Sequence, residues 1–235
     1  LPEAWDNMGN SYGPKSIVTD GLVFAVDAGN VLSYTSGSST CTDMVFNAEG
    51  TVDNTINYNP ANGGYWEFDG SDSDIALGAQ TAGQWSSDPC TYEFWLNYTS
   101  ENASGILFMD RTAWNGSTGV EIWMEYSAGN LYFRARGSGT AMLDTGATLS
   151  NNTWYHLVFT ANSTAGKIYV NTELIDSDTI EAIVDSTSNT YIGVYGNGTS
   201  WEFPGSLASF RIYHKALTPS EITQNYNSQK SRFGL

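Results

Sequence analysis

The chain has 235 residues, carries 25 Asp and Glu against nine Lys and Arg, and has a formal net charge of -16. A field of that sign repels phosphate backbones and anionic lipid surfaces, which excludes nucleic acid and membrane as partners. Aromatic residues make up 14% of the chain and charged residues also 14%, the latter well under the ~25% usual in soluble domains. That balance excludes disorder and implies a buried core large enough to need no metal or disulfide for folding.

Residues 1–20 are polar and hold Pro2, Gly9, Gly13 and Pro14, which predicts an extended arm or linker. The start at Leu1-Pro2-Glu3-Ala4 rather than Met reads as processed, trimmed or incomplete. From residue 21 to 235 the chain reads as one domain. Gly21–Asp27 is an apolar run bounded by turn residues and predicts a buried strand. Residues 30–63 are rich in Ser, Thr, Asn and Gly and predict a long loop with one short strand near Met44–Phe46. Tyr65–Phe68 alternates apolar and polar before Asp69-Gly70.

Beyond residue 91 the pattern is regular. Strands are expected at Tyr92–Tyr98, Gly105–Met109, Val120–Tyr126, Leu131–Ala135, Thr153–Thr160, Lys167–Val170, Thr190–Val194 and Phe203–Tyr213. Turn signals such as Asn115-Gly116 and Ala165-Gly166 separate them. Many short strands with regular turns predict an all-β, two-sheet antiparallel sandwich. One short C-terminal helix follows. Thr218-Pro219-Ser220-Glu221 has the Thr N-cap, Pro at the first turn and Glu three residues on that make a capping box. Ile222 and Tyr226, four apart, share a face of that helix, which is expected to end near Asn227.

The ordered set of segments resembles concanavalin A-like, laminin-G-type jelly rolls. Gly21–Asn30 resembles the opening strand of that family, Phe68-Asp69-Gly70 its Phe-Asp-Gly segment, and Tyr92-Glu93-Phe94-Trp95 its first central strand. Trp154–Val158 and Lys167–Asn171 resemble the paired strands that follow, and Phe203–Leu207 through Ile222 the closing strand and helix. Ile17–Leu22, and Gln224–Asn227 running into Lys230–Leu235, further resemble laminin-G-like structural proteins of tailed bacteriophages. That resemblance implies a virion surface protein, in the capsid or tail, assembled as a homo-oligomer with other virion subunits. The alternative it implies is a secreted or cell-surface lectin that contacts host glycans.

Glycoside hydrolysis needs two flanking carboxylates. The nearest match is Glu121-Ile122-Trp123-Met124-Glu125, in which Trp123 stands where related glucanases carry an Asp, so no enzyme is expected. His156 and His214 have no nucleophile beside them and read as structural. Cys41 and Cys90 lack metal-ligand spacing and form a candidate disulfide only if their Cα atoms lie close together. Calcium is the one candidate cofactor, and none is required for folding. Asp69, Asp72 and Asp74 cluster in one turn, and Asp27 ends the first strand. Glycan binding points to loop aromatics beside polar groups. These are Trp114 with Asp110, Arg111 and Asn115, and Trp201 with Asn197.

Overall fold

The computed structural model describes residues 16–79, 84–100, 103–111, 116–146, 149–196 and 200–235. Trp114, Asn115 and Asn197 of the expected glycan site, and most of the 1–20 arm, lie outside these residues.

In chain order the strands are β1 (Leu22–Asp27), β2 (Thr40–Thr42), β3 (Glu49–Val52), β4 (Asn57–Asn59), β5 (Tyr65–Asp69) and β6 (Ile75–Ala79). Next come β7 (Cys90–Tyr98), β8 (Gly105–Met109), β9 (Glu121–Ser127), β10 (Asn130–Arg136) and β11 (Leu143–Asp144). The last are β12 (Trp154–Asn162), β13 (Ala165–Val170), β14 (Glu173–Thr179), β15 (Asn189–Ile192) and β16 (Pro204–Tyr213), followed by helix α1 (Pro219–Gln229). A 3-10 turn covers Lys230–Phe233. One sheet runs β14-β13-β12-β7-β16-β5-β4, with β1 paired to the second half of β16. The other runs β11-β10-β9-β8-β15-β6-β3-β2. Every pairing is antiparallel, so the expected two-sheet sandwich with a C-terminal helix is what the chain forms. No described helix is long and apolar enough to cross a membrane.

The space between the sheets is filled by alternate strand residues. Phe94 and Phe210 stack at 4.5 Å with rings 4° from parallel, and Phe108, Phe133, Tyr92 and Trp66 pack around them. A register shift between Leu207 and Ser209 lets Leu207 and Phe210, three apart, both face this core. A bulge of that kind reverses the alternation of side chains along a strand. Trp66, on β5, lies between the sheets. Trp95 and Trp123 pack on the outer faces, and Trp154 packs beside Trp95.

The outer face of the first sheet is closed by the C-terminus. Phe233 stacks on Trp95 at 4.3 Å and on Trp154 at 4.6 Å, and Tyr226 of α1 covers Trp95 as well. The capping box forms as expected, between Thr218 and Glu221. The helix runs two residues past the expected end, because the 3-10 turn continues it onto the sheet. Ile17 and Val18 are buried against the same face, and the Val18 N–H donates to Asn225 at 2.7 Å. The folded body therefore begins before residue 21.

The strand expected at Met44–Phe46 is a turn. The Asp43 carboxylate accepts the N–H groups of Ala25, Val45 and Phe46, which curls the segment and drops Met44 and Val45 onto the outer face. Strands β2, β3, β4, β6, β11 and β14 lie outside the expected set, because they are short, polar or, in β6, carry a glycine. In β3 only Gly50 and Val52 are buried, and β14 is Glu-Leu-Ile-Asp-Ser-Asp-Thr.

Under α1 lies a buried charge. Glu93 has no solvent exposure and takes Arg211 Nη1 at 2.6 Å, His156 Nε2 at 3.3 Å and the Asn225 amide. Burial alone would raise its pKa, but the Arg211 charge and then His156 outweigh it and hold it down at about 2. Its unfolded value is 4.5, so the carboxylate adds stability that is complete above about pH 4.5 and lost as pH falls toward 2. Glu93→Gln is expected to cost roughly 3 kcal/mol at pH 7, as for a buried pair with one partner removed. In urea unfolding the gap to the parent chain should close progressively between pH 4.5 and 2; a constant gap would refute the assignment.

Candidate functional site

The candidate site is a shallow cavity of about 370 Å³ at one rim of the sandwich, lined by Gly70, Ala103, Ser104, Trp201 and Glu202. Three segments meet there. The chain from 200 to 203 is tied down on both sides, because Ile106 N–H donates to Trp201 O at 2.8 Å and Phe203 N–H to Gly193 O at 2.7 Å. Gly105 permits this approach, since a Cβ there would sit 2.5 Å from Phe203 Cα. Gly70 is likewise closed against Pro204.

Trp201 is held in the left-handed region at φ 56°. For a bulky residue that conformation costs on the order of 1–2 kcal/mol and persists only where the surroundings impose it. The indole is nevertheless 42% exposed. The fold thus holds a strained tryptophan outward beside the Glu202 carboxylate and the Ser104 hydroxyl, which accepts from Tyr126 N–H at 3.2 Å. An apolar plate flanked by hydrogen-bonding groups suits one face of a sugar ring. The left-handed backbone at Trp201 and the contribution of Glu202 and Ser104 left no signal in the sequence.

Two of the polar partners expected for Trp114 do not face solvent. Asp110 and Arg111 are both fully buried. Arg111 Nη1 meets Glu121 Oε2 at 2.9 Å and Nε donates to Thr118 O at 3.1 Å, while Asp110 accepts the Val120 N–H. Arg136 closes on the same Glu121 oxygen. Asp110 and Arg111 are thus spent on contacts within the fold, which corrects their reading as glycan ligands. Glu121 is correspondingly buried between two guanidinium groups rather than solvated, and Glu125 is paired with Arg134 and the Trp123 indole N–H. Ile122 and Met124 face the core.

The expected calcium ligands are not gathered. Asp27 is gripped by Arg232 Nη1 at 2.8 and 2.9 Å. Asp69 accepts the N–H groups of Ser71 and Asp72 and the Ser73 hydroxyl within its own turn. Slight burial opposes ionisation there, but the Ser71, Ser73 and Asp72 hydrogen bonds prevail and lower its pKa. Asp72 is exposed. Asp74 is pushed up to about 6 by burial and then by the neighbouring Asp53 charge. Among the described residues no three metal-binding side chains converge. Cys41 and Cys90 are free, in strands of opposite sheets, so the candidate disulfide is not formed. Burial holds the Cys41 thiol up at about 12.

A family model described as the concanavalin A-like lectin/glucanases superfamily (Laminin_G_3) matches residues 69–223. Among curated proteins, the chain is 27% identical over 162 residues to Paraclostridial mosquitocidal protein 1 of Paraclostridium bifermentans, a match covering 59% of this chain and 12% of that protein. Among solved structures, Trypanosoma rangeli sialidase in complex with sialic acid superposes with a TM-score of 0.74 at 16% identity, over 98% of this chain and 38% of that one. Domain 4 of AbnA, a GH43 extracellular arabinanase from Geobacillus stearothermophilus, in complex with arabinotriose, superposes with a TM-score of 0.65 at 22% identity. That match covers 87% of this chain and 98% of the other. The chain thus spans about an eighth of the mosquitocidal protein and under two fifths of the sialidase.

Two outcomes are expected. Trp201→Gly, which relieves a positive φ, should raise stability by about 1 kcal/mol in urea unfolding; a loss would mean the indole is a packing residue. Asp74 has a folded pKa above its unfolded 3.8, so its charge costs stability above about pH 6 and that cost fades as pH falls to 3.8. Asp74→Asn should therefore raise Tm at pH 7.5 and leave it unchanged near pH 3.5.

Proposed function

The chain belongs to the concanavalin A-like lectin/glucanases superfamily, and from that premise we propose that it is a non-catalytic carbohydrate-binding module whose sugar contact centres on Trp201. The carrying observation is the indole itself, strained and held half out of the protein over an open polar cavity. Backbone strain at a bulky side chain left this exposed marks a candidate binding position. The arabinotriose complex of the AbnA domain, whose whole length this fold matches, supports a saccharide as the ligand.

The carboxylates support the non-catalytic reading. Glu121 and Glu125 flank Trp123 on β9, where related glucanases carry an Asp between their two glutamates, so no neighbouring carboxylate tunes the acid. Both glutamates are also neutralised by arginine. Calcium has no part in this reading. The setting we propose is a virion surface, where the module repeats in a homo-oligomeric assembly and meets host glycans. That setting rests on the resemblance of Ile17–Leu22 and of Gln224–Leu235 to phage structural proteins; the lectin role does not depend on it.

A glycan array carrying arabinan, β-glucan and bacterial surface polysaccharides tests the proposal. Binding is expected to survive chelator, and Trp201→Ala should weaken it about tenfold or more, the scale of a lost stacking platform. Binding indifferent to Trp201→Ala would move the site elsewhere. Release of reducing sugar that vanishes in Glu121→Gln or Glu125→Gln would make the chain an enzyme.

A further inference from the structure

A second cavity lies far from the rim in the fold, on the outer face of the first sheet where α1 begins. It measures about 250 Å³ and is lined by Thr160, Asn162, Lys167, Tyr169 and the segment 216–219. At roughly 30 Å³ per water it has room for about eight waters, enough for a single sugar ring. Its floor is a cross-strand row, Thr91–Thr160–Lys167 on β7, β12 and β13. Its wall is fixed by Thr91, whose hydroxyl donates to Lys215 O at 2.6 Å and accepts Leu217 N–H at 2.9 Å.

Two features of this cleft have no use within the fold. Thr160 and Tyr169 both line the cleft, and among the described residues neither hydroxyl has a hydrogen-bond partner. Neither oxygen is sealed off, so both are open to a ligand in the cleft. Lys167 is the second. The described arginines and Lys215 are held in ion pairs, and Lys230 lies over the Tyr226 ring. Among the described residues Lys167 is the one cation with neither.

We propose that this cleft is a second ligand site, taking the carboxylate of an acidic monosaccharide unit such as a uronic acid. Lys167 supplies one positive charge for one carboxylate. Thr160, Tyr169 and the Asn162 amide supply neutral hydrogen bonds for ring hydroxyls, and Ala216, Leu217 and Pro219 supply an apolar edge. A simple dianion fits less well. No arginine fork lines the cleft, and the start of α1 is already occupied by Thr218 and the Glu221 carboxylate.

The test is an amide NMR titration of the full chain with galacturonate, galactose and sulfate at constant ionic strength. Galacturonate is expected to shift the amides of residues 160, 167, 169 and 216–218 to saturation. Galactose and sulfate should need about tenfold more. Lys167→Gln, an exposed substitution that leaves folding intact, should weaken galacturonate about tenfold, and Thr160→Val should weaken it too. Trp201→Ala should change nothing here, which separates this site from the rim. Galacturonate binding indifferent to Lys167→Gln, sulfate binding as tightly as galacturonate, or shifts abolished by Trp201→Ala would each overturn the proposal.

Discussion

A carboxylate sealed from water imposes the deepest constraint on this sandwich. Glu93 sits mid-strand in β7, at the centre of the first sheet, on the face away from the core. Removing such a charge from water costs several kcal/mol unless it is paired and hydrogen-bonded. Arg211 pairs with it across β16, and His156 flanks it from β12. Asn225 completes the set: its amide donates to Glu93 and to the Tyr213 hydroxyl, while its oxygen accepts Val18 N–H. One helix residue thus ties the central strand, the closing strand and the incoming N-terminal segment together. Helix α1 is consequently a lid required by the charge beneath it.

A second clasp fixes the end of that lid. Arg232 reaches back to Asp27 at the end of β1 and to the carbonyls of Asn62 and Gly64. The backbones approach so closely there that a Cβ on Gly29 would lie 1.8 Å from Gly63 O. With Phe233 stacked on Trp95 and Trp154, the centre of the first sheet is closed to ligands. Open ground remains at its margin, where the cleft by Lys167 lies, and at the rim, where β8 and β16 approach each other and Trp201 stands out. The cleft by Lys167 lies where the C-terminal lid begins.

The architecture was legible because it is written in short-range patterns. Alternation marked β5, β7, β9 and β16, and the capping box marked α1 to the residue at its start. What stayed illegible depends on contacts remote in sequence. Asp27 and Asp69 read as metal ligands from composition, yet one is taken by an arginine 205 positions away and the other by its own turn. Asp110 and Arg111 read as loop groups, yet Glu121 draws the guanidinium inward. Trp201 was found by its loop position, but its left-handed backbone depends on Ile106 and is invisible in a Ser-Trp-Glu string.

The charge of the chain acquires a more specific meaning once its cations are located. A net charge of -16 suggests a surface that rejects anions everywhere. The cations are largely internal: Arg111, Arg136, Arg211 and Arg232 are buried in ion pairs, so the outer surface is more one-sided than the total implies. At the rim this favours a neutral sugar stacked on Trp201, since Glu202 lies beside it. At physiological salt the background field is screened beyond about 8 Å, so a single unpaired ammonium dominates its own cleft. The two proposed sites therefore differ in charge: the rim sets a carboxylate beside its indole, and the cleft sets an ammonium beside its hydroxyls.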